Sequence, residues 1–237
     1  KIIERYNKEI YRQYVHLLIA KLPIESTIEQ GIMLMERQGN YIHSSELIKD
    51  LNILSAALKD AGATGISNND VRETIRLVQT FGFHLAQLDI RQNSSYYEKA
   101  IRQLIESTGE KNSHYDRWTE DKRMDFLNKE LKSSRPFNRD IKLLKEESKA
   151  VIDCFRVIQE HIEKFTKAAI GSFIISMTRS KSDLLMVYLL LREAGLTEMS
   201  DQGIISLLHV VPLFETIEDL QNSPDIMNRY FYHPIVR

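Results

Sequence analysis

The chain has 237 residues, of which 43% are hydrophobic and 27% are charged, and its formal net charge is −1. This is the composition of a globular protein with a buried core, and the near-neutral charge argues against a general nucleic-acid or membrane-surface role. A single cysteine excludes an internal disulfide, which fits a reducing compartment. The longest apolar stretch, Leu184–Leu191, is far shorter than the ~18 residues that would span a bilayer. We therefore expect a cytoplasmic protein of one large or two small domains, with no membrane or nucleic-acid partner.

Apolar residues at helical spacing dominate the first third of the chain. The segment from Ile10 to Leu22 follows this spacing and ends at Pro23. The stretch 110–121 is charged and poor in apolar residues, which is typical of a loop, and Arg135-Pro136 is typical of a break. Caps and spacing predict helices over 10–22, 44–62, 69 onward, 126–131 and 141–165.

Three places switch from a strand pattern to a helix pattern. Each is a short apolar run followed by capping residues, with Asn93 after the first run, a Ser-rich turn after the second and Thr216 after the third. Ser223-Pro224-Asp225 predicts a further helix start, because proline suits the first helical position. The strands are predicted at Leu85–Arg91, Ser172–Met177 and Leu208–Phe214, with helices over 94–107, over 183–194 and after Thr216.

Strands that alternate with helices predict βαβ crossovers and a parallel sheet. Three such units are too few to close an eight-stranded barrel. We therefore predict a helix-rich α/β fold, with a helical part over 1–82 and a partial TIM-type barrel of about three parallel strand-helix units over 83–237. A helical insertion is expected at about 110–168, within one continuous structural unit. Pro212 indicates that the third strand is irregular or lies at an edge.

The first predicted strand carries polar side chains on one face. Asp89 and Arg91 share that face at strand spacing, whereas both faces of a helix-covered parallel sheet are normally apolar. Arg91 lies at the carboxyl end of the strand, and its guanidinium suits a phosphate or carboxylate ligand. The alternative is a structural ion pair between Asp89 and Arg91 on an edge strand, and the pattern leaves both interpretations open.

The apolar run from Val210 to Phe214 stops on a carboxylate, Glu215. In barrel enzymes the polar residues at the carboxyl ends of strands carry the chemistry, so Glu215 is a candidate catalytic or metal-binding group. The alternative is that Glu215 is only the first polar residue of a loop, because most strands end in something polar.

Two further features have competing interpretations. The turn from Thr178 to Asp183 joins a strand to a helix and carries two cations, which suits an anion site, but N-capping by Ser180 or Ser182 explains the same residues. Cys154 falls on an apolar helix pattern and is predicted to lie in the core rather than to act as a nucleophile. The seven histidines form no metal-ligand motif.

Four segments together resemble phosphoenolpyruvate carboxylase. Leu88–Gln92 has the letters LDIRQ, which resemble a strand end of that family. The segment from Ile174 to Leu184 resembles its ISMxxxxSDxL pattern, and Leu189–Gly195 and Val211–Thr216 follow in the family's order. The resemblance runs through most of the chain and is looser in the helical first third.

This resemblance implies a cytosolic lyase that requires Mg²⁺ or Mn²⁺. The family carboxylates phosphoenolpyruvate with bicarbonate to give oxaloacetate and phosphate, through carboxyphosphate and the enolate of pyruvate. It is typically homotetrameric, and it serves carbon dioxide fixation and the replenishment of the tricarboxylic acid cycle. By the same resemblance, Arg91 would be a catalytic residue that contacts phosphoenolpyruvate, and Glu215 would be a metal ligand. Both residue types suit these roles, because a guanidinium neutralises a phosphoryl group and a hard cation prefers carboxylate oxygen.

Several segments of that family do not occur in these 237 residues, among them TAHPTE with its catalytic histidine, GYSDSxKD with the second metal carboxylate, and the GRGG loop. The chain also has no initiator methionine. We therefore expect a central fragment of a longer enzyme, inactive alone and without bound metal. The alternative is a non-catalytic α/β binding or interaction module. Convergence of Arg91 and Glu215 in one cavity at the same end of the sheet would favour the enzyme, and a position at opposite ends would contradict the site.

Overall fold

The structure is a computed structural model that describes residues 2–27, 31–34, 38–110, 112–133, 135, 144–200 and 203–236. The chain divides into two compact units. One comprises Lys1–Gln87 and Lys164–Ala169, and the other comprises Leu88–Glu163 and Ile170–Arg237. Within the described ranges, every helix is too short or too polar to cross a membrane.

The first unit is mainly helical. Its elements are α1 Ile2–Arg5, α2 Ile10–Ala20, the antiparallel strands β1 Ile24–Thr27 and β2 Gly31–Leu34, α3 Ser44–Asp60, α4 Thr64–Ile66, a π-helical turn Ser67–Val71, and α5 Arg72–Phe81. In α3, Leu47, Leu51, Leu54 and Leu58 recur every three or four residues and are all buried on one face. They form the core of this unit together with residues of α2 and the π-helical turn.

The second unit is built around a three-stranded parallel sheet. Its strands are β3 Leu88–Asn93, β4 Ile170–Ser176, the antiparallel hairpin of β5 Thr197–Ser200 and β6 Gly203–Ser206, and β7 His209–Pro212. The sheet order is β3-β4-β7, so β4 is central. Pro212 ends an edge strand, where a missing N–H is tolerated, as its position in the sequence indicated.

In the part of the second unit that the structure describes, five helices complete the fold. They are α6 Ser94–Ser107, α7 Glu120–Glu130, α8 Glu146–Lys164, α9 Lys181–Glu193 and α10 Ile217–Phe231. Helix α9 is buried nearly all round, as expected from its apolar run, and it belongs to the core. On β4, the fully buried Phe173 has its ring centroid 5.0 Å from that of Phe155 in α8 and 5.7 Å from that of Tyr97 in α6.

The predicted fold class is confirmed as helix-rich α/β with a parallel sheet, whereas the partial TIM-type barrel remains a prediction. The predicted start of the first strand is wrong, because β3 begins at Leu88 and not at Leu85. Leu85 has a left-handed backbone with φ of 65°, and its N–H donates to the carbonyl of Phe81 at 2.9 Å. Residues before Leu88 therefore form a turn, which removes Leu85 and Gln87 from the strand face.

The predicted helix start at Ser223-Pro224-Asp225 is also wrong, since Pro224 lies inside α10. Proline has no N–H to donate to the carbonyl four residues earlier, which is that of Leu220. The hydroxyl of Ser223 donates to that carbonyl at 2.8 Å. A side-chain bond thus replaces the missing backbone bond, and the helix continues through the proline.

Two other expectations differ from the structure. Cys154 is exposed, because it lies at the margin of the α8 stripe formed by Val151, Ile152, Phe155 and Ile158. The predicted loop 110–121 contains a 3₁₀ turn, Tyr115–Arg117, and the start of α7, whose cap Thr119 accepts from the N–H of Lys122. The two antiparallel hairpins were not predicted. The start of the predicted 141–165 helix and Pro136 lie outside the described residues.

Phe173→Ala is expected to lower the free energy of unfolding of the second unit by about 3–5 kcal/mol, because it empties space between α6, β4 and α8. The single tryptophan, Trp118, lies in this unit, so its fluorescence in urea reports the transition. Val157→Ala on α8 is the control, since Val157 is 66% exposed and its loss should cost within about 0.5 kcal/mol. Equal stability of the two variants would contradict the assigned core.

Candidate active site

The carboxyl ends of parallel strands meet at one edge of a sheet, where open α/β folds bind their ligands. Arg91 of β3 pairs in register with Ile174 of β4, and Ile174 pairs with Val211 of β7. Glu215 follows the end of β7 by three residues. The sheet therefore brings the two site residues predicted from the sequence, Arg91 and Glu215, to the same edge.

These two side chains form an ion pair across the sheet. Nη2 of Arg91 lies 2.5 Å from Oε1 of Glu215. The other carboxylate oxygen, Oε2, accepts the backbone N–H of Met177 at 3.0 Å. The Arg91 side chain is 54% exposed and that of Glu215 is 32% exposed, so a ligand can reach the pair from solvent. The pair offers a cationic fork and a carboxylate side by side, which suits a phosphorylated or metal-bound ligand.

Asp89 has a structural role at the start of the sheet. Its Oδ1 accepts the N–H of Ser172 at 2.7 Å, where the β3–β4 register shifts between Leu88 and Ile90. A Cβ added at Gly171 would lie 2.2 Å from Asp89 Oδ1, so a larger residue there would displace this carboxylate from its present position. Among the ion pairs of the described residues, Arg91 pairs with Glu215, and the alternative pairing of Asp89 with Arg91 is not formed.

Met177 contributes its backbone to the site, which sequence reasoning did not anticipate. Its φ of 56° is left-handed, an uncommon conformation for a residue with a flexible side chain. The Met177 carbonyl accepts from Ser94 Oγ at 2.8 Å, and Thr178 Oγ1 donates to the carbonyl of Ile175 at 2.8 Å. Ser94 and Thr178 are both fully buried. This strained turn persists because buried hydrogen bonds hold it from several sides.

Two carboxylates of the protein accept hydrogen bonds at the start of α9. Asp183 Oδ2 accepts the N–H groups of Arg179 at 2.8 Å and Ser180 at 3.1 Å. Glu120 accepts the N–H of Ser182 at 3.1 Å and its hydroxyl at 2.6 Å. Ser180 is the N-cap, as one of the two sequence interpretations held. The other interpretation, an external anion site, is unfavourable because Glu120 already accepts the Ser182 N–H and because both carboxylates would repel an anion at this helix start.

Asp183 also belongs to a buried ionic network. Glu98 of α6 accepts from Arg123 Nη1 at 2.7 Å and from Arg179 Nη2 at 3.0 Å, and Arg123 Nη1 lies 3.8 Å from Asp183 Oδ1. The network borders a cavity of about 310 Å³. Burial raises the pKa of Asp183 to about 6, against the lowering effect of the Arg179 N–H and of both guanidinium groups. The Ser180-x-x-Asp183 capping pattern is the sequence signal that could have indicated this residue.

The described residues do not fit a complete divalent-metal site. They contain no group of three or more His, Cys, Asp or Glu side chains arranged to hold an ion. At the sheet edge, Glu215 is the predicted ligand, and both of its carboxylate oxygens are bonded within the protein. These residues alone could supply one carboxylate ligand, and a hard cation needs several.

The raised pKa of Asp183 predicts a specific pH dependence of stability. The folded state binds this proton more tightly than the unfolded chain, so the contribution to stability is present below about pH 4 and is lost as pH rises through about 6. The difference corresponds to roughly 3 kcal/mol at most. Asp183→Asn removes the titrating group, and its stability relative to wild type should therefore rise between pH 4 and 7 in urea unfolding followed by Trp118. A difference that stays constant over this range would contradict the prediction.

Comparison with known proteins agrees with the resemblance found in the sequence. The family model described as phosphoenolpyruvate carboxylase matches residues 1–237. The curated phosphoenolpyruvate carboxylase of Synechocystis sp. is 31% identical over 98% of this chain and 23% of its own length. That of Synechococcus sp. is 33% identical over 97% of this chain and 22% of its length. That of Rhodopseudomonas palustris is 40% identical over 80% of this chain and 20% of its length.

The chain thus spans less than a quarter of the length of these relatives. The family match nevertheless covers both structural units, including the strand that carries Arg91 and the segment after β7 that carries Glu215. On this evidence the chain belongs to the phosphoenolpyruvate carboxylase family.

Proposed function

We propose that this chain is the central section of a phosphoenolpyruvate carboxylase, a carbon–carbon lyase that joins bicarbonate to phosphoenolpyruvate and yields oxaloacetate and phosphate. The observation that carries the proposal is the convergence of Arg91 and Glu215 at the carboxyl edge of the sheet, 2.5 Å apart. A purely structural strand face, as in a binding module, does not need a cation and a carboxylate at this accessible edge. Family membership supports the same assignment.

In this proposal Arg91 is the catalytic residue that binds the phosphate of phosphoenolpyruvate. The guanidinium has five N–H donors in a rigid fork, and the ion pair with Glu215 engages Nη2. A phosphoryl group that passes to bicarbonate carries negative charge throughout, and a fixed cation beside it lowers the energy of that charge. The exposure of Arg91, 54%, is that of a group that can reach a substrate.

Glu215 is proposed as one ligand of the Mg²⁺ or Mn²⁺ on which the family depends. Its remaining ligands would come from parts of the enzyme outside the described residues, because these offer no further carboxylate or histidine cluster. When bound, a divalent cation would stabilise an enolate oxygen. We place the parent enzyme in the cytoplasm, as a homotetramer that fixes carbon dioxide and replenishes the tricarboxylic acid cycle.

The site roles are tested by variants of the complete enzyme that contains this chain. Arg91→Met removes the cation and Glu215→Gln removes the carboxylate, and each should lower kcat/KM for phosphoenolpyruvate by at least about 100-fold in an assay of oxaloacetate formation. Arg229→Met is the matched control, because Arg229 is 64% exposed in a surface pair with Asp225. It should retain wild-type activity.

Two results would overturn this assignment. One is near-normal turnover in either site variant, and the other is an equal loss in the control. Circular dichroism of each purified variant separates a lost site from a lost fold.

The isolated chain gives an independent prediction. Supplied with phosphoenolpyruvate, bicarbonate and Mg²⁺, these 237 residues should release no phosphate above background, because they hold one proposed metal ligand and lack the segments quoted above. The measurement is colorimetric phosphate release, with the complete enzyme as positive control. Turnover clearly above background would show that the chain contains a full site.

A further inference from the structure

The turn that orients Glu215 is held on its far side by Asp183. Met177 N–H donates to Glu215 Oε2 at 3.0 Å, and the next residues of the same turn, Arg179 and Ser180, donate their N–H groups to Asp183. Met177 has a left-handed backbone, a conformation that persists only where the surrounding structure holds the turn in place. Only Thr178 separates the residue that binds Glu215 from those that bind Asp183.

Asp183 also lies near a cation from an element beyond the turn. It is 1% exposed, and Arg123 of α7 lies 3.8 Å from its Oδ1. Arg123 and Arg179 share Glu98 of α6, and the Arg123 and Glu98 side chains are 12% and 9% exposed. The turn after β4 is therefore connected to α6, α7 and α9 by charge-assisted hydrogen bonds, of which the one from the half-exposed Arg179 lies partly in solvent.

This arrangement differs from an ordinary helix cap. Glu46 at the start of α3 forms the same kind of capping box, in which its Oε2 accepts the N–H groups of Ile42 and His43. Unlike Asp183, Glu46 is exposed. A cap of that kind stabilises a helix by about 1 kcal/mol at little cost. Asp183 makes the same bonds as a buried carboxylate, which is far more costly to desolvate. A stabilising cap alone does not require such a buried charge.

We propose that Asp183 is a positioning residue for the active site: it holds the β4–α9 turn so that the Met177 N–H meets Glu215 and turns its carboxylate toward Arg91. The inference rests on the proposed function for the importance of Glu215, but the geometry stands without it. Glu98 supports Asp183 by holding Arg179 and Arg123. Neither acidic residue contacts the ion pair directly, so both act through the Met177 turn.

The test is the backbone amide signal of Met177 in ¹H–¹⁵N NMR spectra of the 237-residue chain. Glu215→Gln defines the signal position when the carboxylate partner is lost. Asp183→Ala should move the Met177 signal more than halfway toward that position. Asp183→Asn, whose amide oxygen can accept the same two N–H groups, should leave it near wild type. Glu46→Ala is the matched control, since it removes an equivalent cap in the other unit and should leave Met177 unchanged.

An unmoved Met177 signal in folded Asp183→Ala would overturn the proposal, and so would an equal movement in Glu46→Ala. If Asp183→Ala does not fold, Glu98→Gln replaces it, because that change keeps both Asp183 bonds and weakens only the arginine anchors. It should move Met177 in the same direction by a smaller amount, and no movement would again count against positioning. The experiment uses no substrate, so its failure is separate from failure of the activity assays on Arg91 and Glu215.

Discussion

Parallel pairing of β3, β4 and β7 is the constraint on which the rest of this structure depends. Because the three strands run in one direction, their carboxyl ends share an edge, and residues 124 positions apart in sequence come into contact there. The buried helix α9 and the aromatic contacts of Phe173 hold the central strand in the core. The sheet thus converts two separate strand ends, at Arg91 and at Glu215, into one site.

A network of polar contacts holds the β4–α9 turn at that edge of the sheet. Ion pairs and hydrogen bonds link this turn to three helices, through Arg179 of the turn itself, Glu98 of α6, Arg123 of α7 and Asp183 of α9. The raised pKa of Asp183 indicates that its charge destabilises the fold at neutral pH. A protein keeps such a group where a particular backbone geometry matters more than maximal stability. In the proposal above, that geometry is the left-handed turn at Met177, whose N–H meets the Glu215 carboxylate.

The sequence predicts those features of the fold and site that depend on a local pattern of residues. The apolar runs identified all three parallel strands, and the caps Asn93 and Thr216 were found because each side chain serves its own helix. Arg91 and Glu215 were found because strand ends can be located in the sequence. Features that depend on contacts between distant residues, or on the backbone angles of one residue, could not be predicted from the sequence. No local sequence signal predicts the left-handed backbone of Leu85 or the ion pair between Arg179 and Glu98. The same is true of the Ser223 hydroxyl bond that accompanies Pro224 inside α10.

Membership of the phosphoenolpyruvate carboxylase family underlies the roles proposed for Arg91 and Glu215. The interaction energy between these two side chains can be measured without any ligand. A double-mutant cycle with Arg91→Met and Glu215→Gln, by urea unfolding followed by Trp118, gives the energy of their interaction. For a pair of this exposure we predict a favourable coupling of about 0.2–1 kcal/mol at low salt that declines as salt is added. Strictly additive effects at low salt would contradict this predicted coupling between Arg91 and Glu215.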